Sequence, residues 1–173
     1  MTATNIHKAT PADIYALNNL VNSAYRGDAS KKGWTTEADL LEGIRTDPES
    51  LAALLNNTNA SILKYTEQDE LLGCVYLEKK LNKMYLGMLS VQPGMQAKGI
   101  GKMLLQAAEA YALEHNCTHV TMTVISVRDE LIKWYERKGF KSTGEKEPFP
   151  SDPKFGIPKQ PLEFIVMEKP VNS

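Results

Sequence analysis

The sequence predicts an α/β fold with a mixed central sheet flanked by helices, and three observations predict it. Residues 72–77 and 84–91 are rich in strand formers, and residues 120–124 alternate as a strand. A helix-period segment between the last two makes a β-α-β unit mid-chain. Upstream, segments around 62–65, 72–77 and 84–91 are separated by the turn clusters Gln68-Asp69-Glu70 and Leu81-Asn82-Lys83, the pattern of an antiparallel meander. A chain of 173 residues, 42% hydrophobic and 24% charged, can also build a core without disulfides or structural metal.

Ile6-His7-Lys8-Ala9 reads as the first strand. Thr10 then serves as an N-cap, Pro11 as the first helical residue and Asp13 as a capping-box carboxylate. The helix that follows repeats Ile14, Leu17, Leu20, Val21 and Ala24 at spacings of three and four, and fades at Tyr25-Arg26-Gly27 into a polar loop over residues 26–33. Thr36-Glu37-Ala38-Asp39 is expected to open a second helix with Leu40, Leu41 and Ile44 on one face, and Asp47-Pro48 to end it and begin a shorter third.

After the meander, Gln92-Pro93-Gly94 leads to a long helix with Ile100, Leu104, Ala107, Ala108 and Tyr111 on its buried side. Val120, Met122 and Val124 alternate as the next strand, and residues 129–138 form an amphipathic helix closed by Gly139. Residues 140–147 and 162–169 are the last strands, around a connection over 148–161 long enough to carry function. The central β-α-β must be parallel and right-handed. With no repeat, low-complexity tract or linker, residues 1–173 read as a single domain.

Charge narrows the function classes. Twenty Lys+Arg against 21 Asp+Glu leave a net −1, so no global field favours nucleic acid or an anionic membrane. No apolar run is long enough to span a bilayer, and the N-terminus lacks a signal-peptide pattern, so a cytoplasmic location is expected. Cys74 and Cys117 sit in apolar segments without zinc-ligand spacing, and His119 beside Cys117 reads as a strand histidine next to a reduced thiol; no metal is expected.

The most informative stretch is Leu89-Ser90-Val91-Gln92-Pro93-Gly94-Met95-Gln96-Ala97-Lys98-Gly99-Ile100-Gly101-Lys102, a strand that feeds a glycine-rich turn opening a helix. Unpaired N–H groups and a partial positive charge at a helix N-terminus suit a phosphate, and glycines let it approach closely. A plain tight turn would use the same glycines for backbone freedom alone. A Walker A loop would need Lys and a hydroxyl residue where Ile100 and Gly101 stand. A dinucleotide fingerprint would need glycine at Leu104 and a different strand context. What remains, Gln96 with Gly99 and Gly101, resembles the pyrophosphate-binding motif of the GNAT superfamily of acetyl-CoA-dependent N-acyltransferases. Further on, Tyr135-Glu136-Arg137-Lys138-Gly139-Phe140 resembles the family's Tyr-Glu-x-x-Gly-Phe helix end, and the element order matches its fold.

The resemblance implies a GNAT-like sheet whose fourth and fifth strands, residues 84–91 and 120–124, are parallel but splayed around pantetheine. It implies cofactor contacts from the strand Leu89, Ser90 and Val91, chiefly through main-chain groups. The amides of Gln96, Ala97, Lys98, Gly99, Ile100, Gly101 and Lys102 would hold the pyrophosphate of acetyl-CoA. Tyr135 would contact the cofactor and act as general acid toward the leaving sulfur, since a phenol stays protonated at neutral pH. Arg128 stands where the family often has asparagine, so it would reach a cofactor phosphate or an acceptor carboxylate, or be a solvated surface arginine. Trp134 is expected to pack in the core.

Glu37 and Glu78 are the candidate bases. Tyr25, Arg26, Trp34 and Glu37 would line the acceptor pocket, with Phe149 as an opposing wall. An Arg26 and Glu37 clamp would suit a small zwitterion. The implied activity is acetyl transfer from acetyl-CoA to a primary amine of a small molecule or peptide by direct attack on the thioester. The alternative is a noncatalytic acyl-CoA-binding sensor or partner module. Edge strands permit a homodimer.

Overall fold

Seven strands build one mixed sheet, seen in a computed structural model that describes residues 5–25, 41–42, 45–95, 98–148, 157–159 and 162–171. The strands are β1 (Ile6–Lys8), β2 (Ala60–Glu67), β3 (Glu70–Lys80), β4 (Lys83–Val91), β5 (His119–Ile125), β6 (Lys141–Pro148) and β7 (Glu163–Pro170). Their spatial order is β1-β2-β3-β4-β5-β7-β6. The chain crosses from β4 to β5 through helix α3 (Ile100–Glu114), so this pair is parallel while the other neighbours are antiparallel. The last strand, β7, inserts between β5 and β6.

Helix starts follow the local chemistry. The Asp13 carboxylate accepts the Thr10 N–H at 2.8 Å, and the 3-10 turn Pro11–Asp13 runs directly into α1 (Ile14–Tyr25). Leu17, Leu20, Val21 and Ala24 form its buried face, as the spacing predicts. Helix α2 (Pro48–Leu55) begins at Asp47, whose carboxylate accepts the Ser50 N–H at 2.7 Å. Helices α1 and α2 pack with Ile62, Cys74, Tyr76 and Met88 in one buried cluster. The second cluster joins α3 and α4 (Asp129–Arg137) to Val75, Leu77, Leu86, Met122 and Phe140.

The helix expected from Thr36 is not what the described part of that segment forms. Leu41–Glu42 is a two-residue strand antiparallel to Ile157–Pro158. Pairing with a segment more than a hundred residues away replaces the local helical bonds that the spacing of Leu40, Leu41 and Ile44 suggested. Among the described residues no helix is long and apolar enough to cross a membrane. Cys74 and Cys117 are buried free thiols.

Two features of β4 open a gap in the sheet. Its register with β5 runs Lys83↔His119, Met84↔Val120 and Tyr85↔Thr121, and ends there. Against β3 the register shifts between Tyr76↔Gly87 and Cys74↔Ser90, which leaves an extra residue on β4, with Met88 at φ 56°. A bulge of this kind bends its strand. Beyond Tyr85, β4 therefore stays on β3 while β5 stays on β7, and the parallel pair is splayed as expected.

Candidate active site

Alternation along β4 decides which backbone groups face the gap. Gln92 donates its N–H to Leu72 at 2.9 Å and Ser90 pairs with Cys74, so both turn toward β3. Leu89 and Val91, between and before them, turn their main-chain groups toward the parted side. Their side chains are buried core. The Ser90 hydroxyl donates to the Met88 carbonyl at 3.1 Å, so this side chain braces the bulge rather than the cleft. Tyr25 ends α1 with its phenol donating to the Leu89 carbonyl at 2.5 Å. Expected in the acceptor pocket, Tyr25 thus also occupies a main-chain acceptor of the gap.

Past β4 the chain enters α3 through Gly99, which is left-handed at φ 78° and lacks a capping side chain. The first bond of the helix, Met103 N–H to the Gly99 carbonyl at 3.0 Å, leaves the amides of Gly99, Ile100, Gly101 and Lys102 ahead of it. A Cβ built on Gly99 or on Gly94 would meet nothing within 4 Å, so the approach to these amides is open. Lys98 and Lys102 are exposed beside them. The amide of Lys98 is already turned to the Met95 carbonyl at 3.3 Å, and the Ile100 side chain is core, so only the Ile100 backbone is offered. An uncapped helix start with open space and two cations fits a diphosphate. Gln96 and Ala97 lie outside the described residues.

Tyr135 is held by the motif that surrounds it. The end of α4 is closed by Gly139 at φ 97°, and the N–H groups of Lys138 and Phe140 both donate to the Tyr135 carbonyl, at 3.0 and 3.1 Å. This turn drives Phe140 into the core, 5.6 Å edge-on from the Tyr135 ring, with Trp134 edge-on at 5.0 Å on another side. Trp134 packs against the core, as expected. Burial holds the Tyr135 hydroxyl well above its usual pKa of 10.0; Tyr25 reinforces this, Arg128 opposes it and Tyr85 adds to it. Tyr135 is thereby kept a neutral phenol.

Tyr25, Leu89, Arg128 and Tyr135 line one cavity of about 590 Å³ in the splayed sheet, whose wall, among the described residues, includes neither Ser90 and Val91 nor the start of α3. Arg128 is 9% exposed, so it is a cavity residue rather than a solvated surface arginine. Glu78 does not reach the cavity; its carboxylate accepts the Tyr76 phenol at 2.7 Å. Arg26, Trp34, Glu37 and Phe149 lie outside the described residues. The wall also holds Arg45, Lys80, Tyr85 and Glu147, which sequence reasoning missed. One signal was available for Tyr85, a large aromatic at the outward phase of a strand next to Gly87, whose missing side chain makes room for the ring. Among the described residues no group of three or more His, Cys, Asp or Glu is placed to hold a metal ion.

Residues 14–140 match the family described as "Acetyltransferase (GNAT) family". The chain belongs to the GNAT family. A 62-residue stretch of this GNAT chain is 42% identical to the [ribosomal protein bS18]-alanine N-acetyltransferase of Haemophilus ducreyi, covering 35% of this chain and 43% of that protein. The match thus spans less than half of that relative's length. Among solved structures, the Escherichia coli ribosomal-protein-S18-alanine N-acetyltransferase superposes with a TM-score of 0.72 at 14% identity, over 97% of this chain and 94% of that one. Ard1 from Thermoplasma volcanium gives 0.72 at 19% identity, over 97% of each chain. The ribosomal-protein-alanine N-acetyltransferase of Brucella melitensis gives 0.70 at 21% identity, over 95% of this chain and 98% of that one. At these identities the likeness is one of fold, and this GNAT chain shares it over nearly its whole length. Members of the family use acetyl-CoA as acetyl donor.

Proposed function

We propose that this chain is an N-acetyltransferase that transfers the acetyl group of acetyl-CoA to a primary amine of a small molecule or peptide, acting as one domain over residues 1–173 in the cytoplasm. The observation that carries this reading is that β4 leaves β5 after Tyr85 and the neutral phenol of Tyr135 lines the opening. Family membership and the uncapped start of α3 support it.

Acetyl-CoA supplies an acetyl thioester: the amine nitrogen bonds to its carbonyl carbon, the carbon–sulfur bond breaks, and coenzyme A leaves as the thiol. The amides of Gly99, Ile100, Gly101 and Lys102 bind diphosphate, together with Gln96, Ala97 and the cations of Lys98 and Lys102. The Leu89 N–H and the main chain of Val91 hold the pantetheine arm and polarise the carbonyl. Tyr135 gives its hydroxyl proton to the departing sulfur and regains one from the attacking nitrogen, so that one proton passes from nitrogen to sulfur overall. Its high pKa keeps that proton in place until it is needed. Glu37 is the candidate base for the acceptor ammonium, and Tyr25, Arg26, Trp34 and Phe149 are candidate acceptor contacts.

The test is thiol release from acetyl-CoA across a panel of amines, with the acetylated product identified by mass. Amine-dependent thiol supports the reading. Acetyl-CoA binding with no amine-dependent thiol would make the chain an acyl-CoA sensor and overturn it.

A further inference from the structure

Charge in the cavity is predominantly positive. Among the described residues of its wall, Arg45, Lys80 and Arg128 are cations and Glu147 is a carboxylate. Arg45 is held in place from both ends. The Asn22 amide oxygen, on α1, accepts the N–H groups of Arg45 and Thr46 at 2.7 and 3.1 Å, and its amide nitrogen donates to the Thr46 carbonyl at 3.0 Å. The Arg45 guanidinium lies 5.3 Å from the centroid of the Tyr25 ring, the same ring whose hydroxyl meets Leu89. A guanidinium over a ring is attracted by the ring's face, and its planar fork matches the shape of a carboxylate. Arg128 enters from the start of α4 and shares the cavity wall with Tyr135. Lys80 lies 4.7 Å from the Tyr85 ring centroid, on a third element.

We propose that the amine acceptor of this site carries a carboxylate or another anionic group, seated by Arg45 and Arg128. This rests on the acetyl-transfer reading. Attraction between opposite charges is stronger in a partly enclosed cavity than in water, and an arginine fork binds a carboxylate through paired N–H groups. A diamine or a basic peptide would meet like charge in the same wall. An amine that carries its own anion has that anion held by the arginines, its ammonium faces Glu147, and its nitrogen is left to react once neutral.

The experiment compares matched amines that differ only in the anion: β-alanine with ethylamine, and γ-aminobutyrate with propylamine. Aminomethylphosphonate is an arm that separates phosphonate from carboxylate, and putrescine is a dicationic arm. The expected result is a kcat/KM at least about tenfold higher for an amine that carries the anion than for its partner without one, with putrescine poorest. In Arg45→Gln that ratio should fall toward one, and Arg45→Lys should restore part of it; acetyl-CoA affinity reports that each variant is folded. Equal or faster reaction of the amines without an anion, putrescine included, would overturn the inference and leave the acetyl-transfer reading standing, as would an unchanged ratio in both Arg45→Gln and Arg128→Gln. Thiol release with none of the amines, despite acetyl-CoA binding, would overturn both.

Discussion

The phenol of Tyr25 donates to the carbonyl of Leu89 across 2.5 Å, tying the last residue of α1 to the strand edge where the sheet parts. The bond is buried, and removing the donor leaves a carbonyl without it in a partly enclosed wall. Tyr25→Phe keeps the ring under Arg45 and removes only the hydroxyl. The expected loss of folding stability is about 1–3 kcal/mol, measured by urea unfolding, together with weaker acetyl-CoA binding. Unchanged acetyl-CoA affinity would show that the Leu89 carbonyl has no part in shaping the cleft.

Tyr135→Phe removes the proton proposed to reach the sulfur while keeping the ring packing against Phe140 and Trp134. Turnover should fall by about 10²- to 10⁴-fold, with acetyl-CoA affinity nearly unchanged. Full turnover in the variant would remove the general-acid role.

Alkaline pH should destabilise the fold before acid catalysis by Tyr135 is lost. Tyr135 is raised by burial, Tyr76 by burial and the Glu78 carboxylate, and Tyr65 chiefly by its bond to Glu67. Burial pushes the Cys74 thiol from 9.0 up to about 12. Below the unfolded values both states keep these protons. As pH rises through them, the unfolded chain releases protons that the native state retains, so native stability declines. The midpoint of urea unfolding should drop from about pH 9, the unfolded thiol range, and more steeply above about pH 10, the phenol range. A flat midpoint between pH 8.5 and 11 would contradict this.

Gly99→Val places a branched side chain in the open space over the first amides of α3. The left-handed φ of 78° adds a strain of about 1–2 kcal/mol to that obstruction. Gly94→Ala, at φ 91° with equally open surroundings, is a strain control away from the helix start. Acetyl-CoA affinity should fall at least about tenfold in Gly99→Val and far less in Gly94→Ala, read by isothermal titration. Equal losses would assign the effect to backbone strain alone.

The elements that the sequence disclosed are those governed by near neighbours. The Thr10 to Asp13 cap, the Asp47 cap, the buried stripe of α1 and the left-handed Gly139 before Phe140 all depend on residues within one or two turns. The failure at Leu41–Glu42 has the opposite character, because its partners at Ile157–Pro158 are remote and spacing carries no trace of them. The same holds for Arg45, which lines the cavity while Asn22 of α1 holds its backbone.

Composition and residue spacing by themselves determined the order of the seven sheet strands, the glycine turn at the start of α3 and the helix end that carries Tyr135. Tertiary structure alone decided that β4 slips by one residue against β3 at Met88, because the register of a strand is set by its neighbours and by packing on both faces. That slip bends β4 away from β5 and faces the main chain of Leu89 and Val91 toward the gap. Tertiary structure also decides that Tyr25 and Arg45, distant in the chain from Arg128 and Tyr135, share one wall with them.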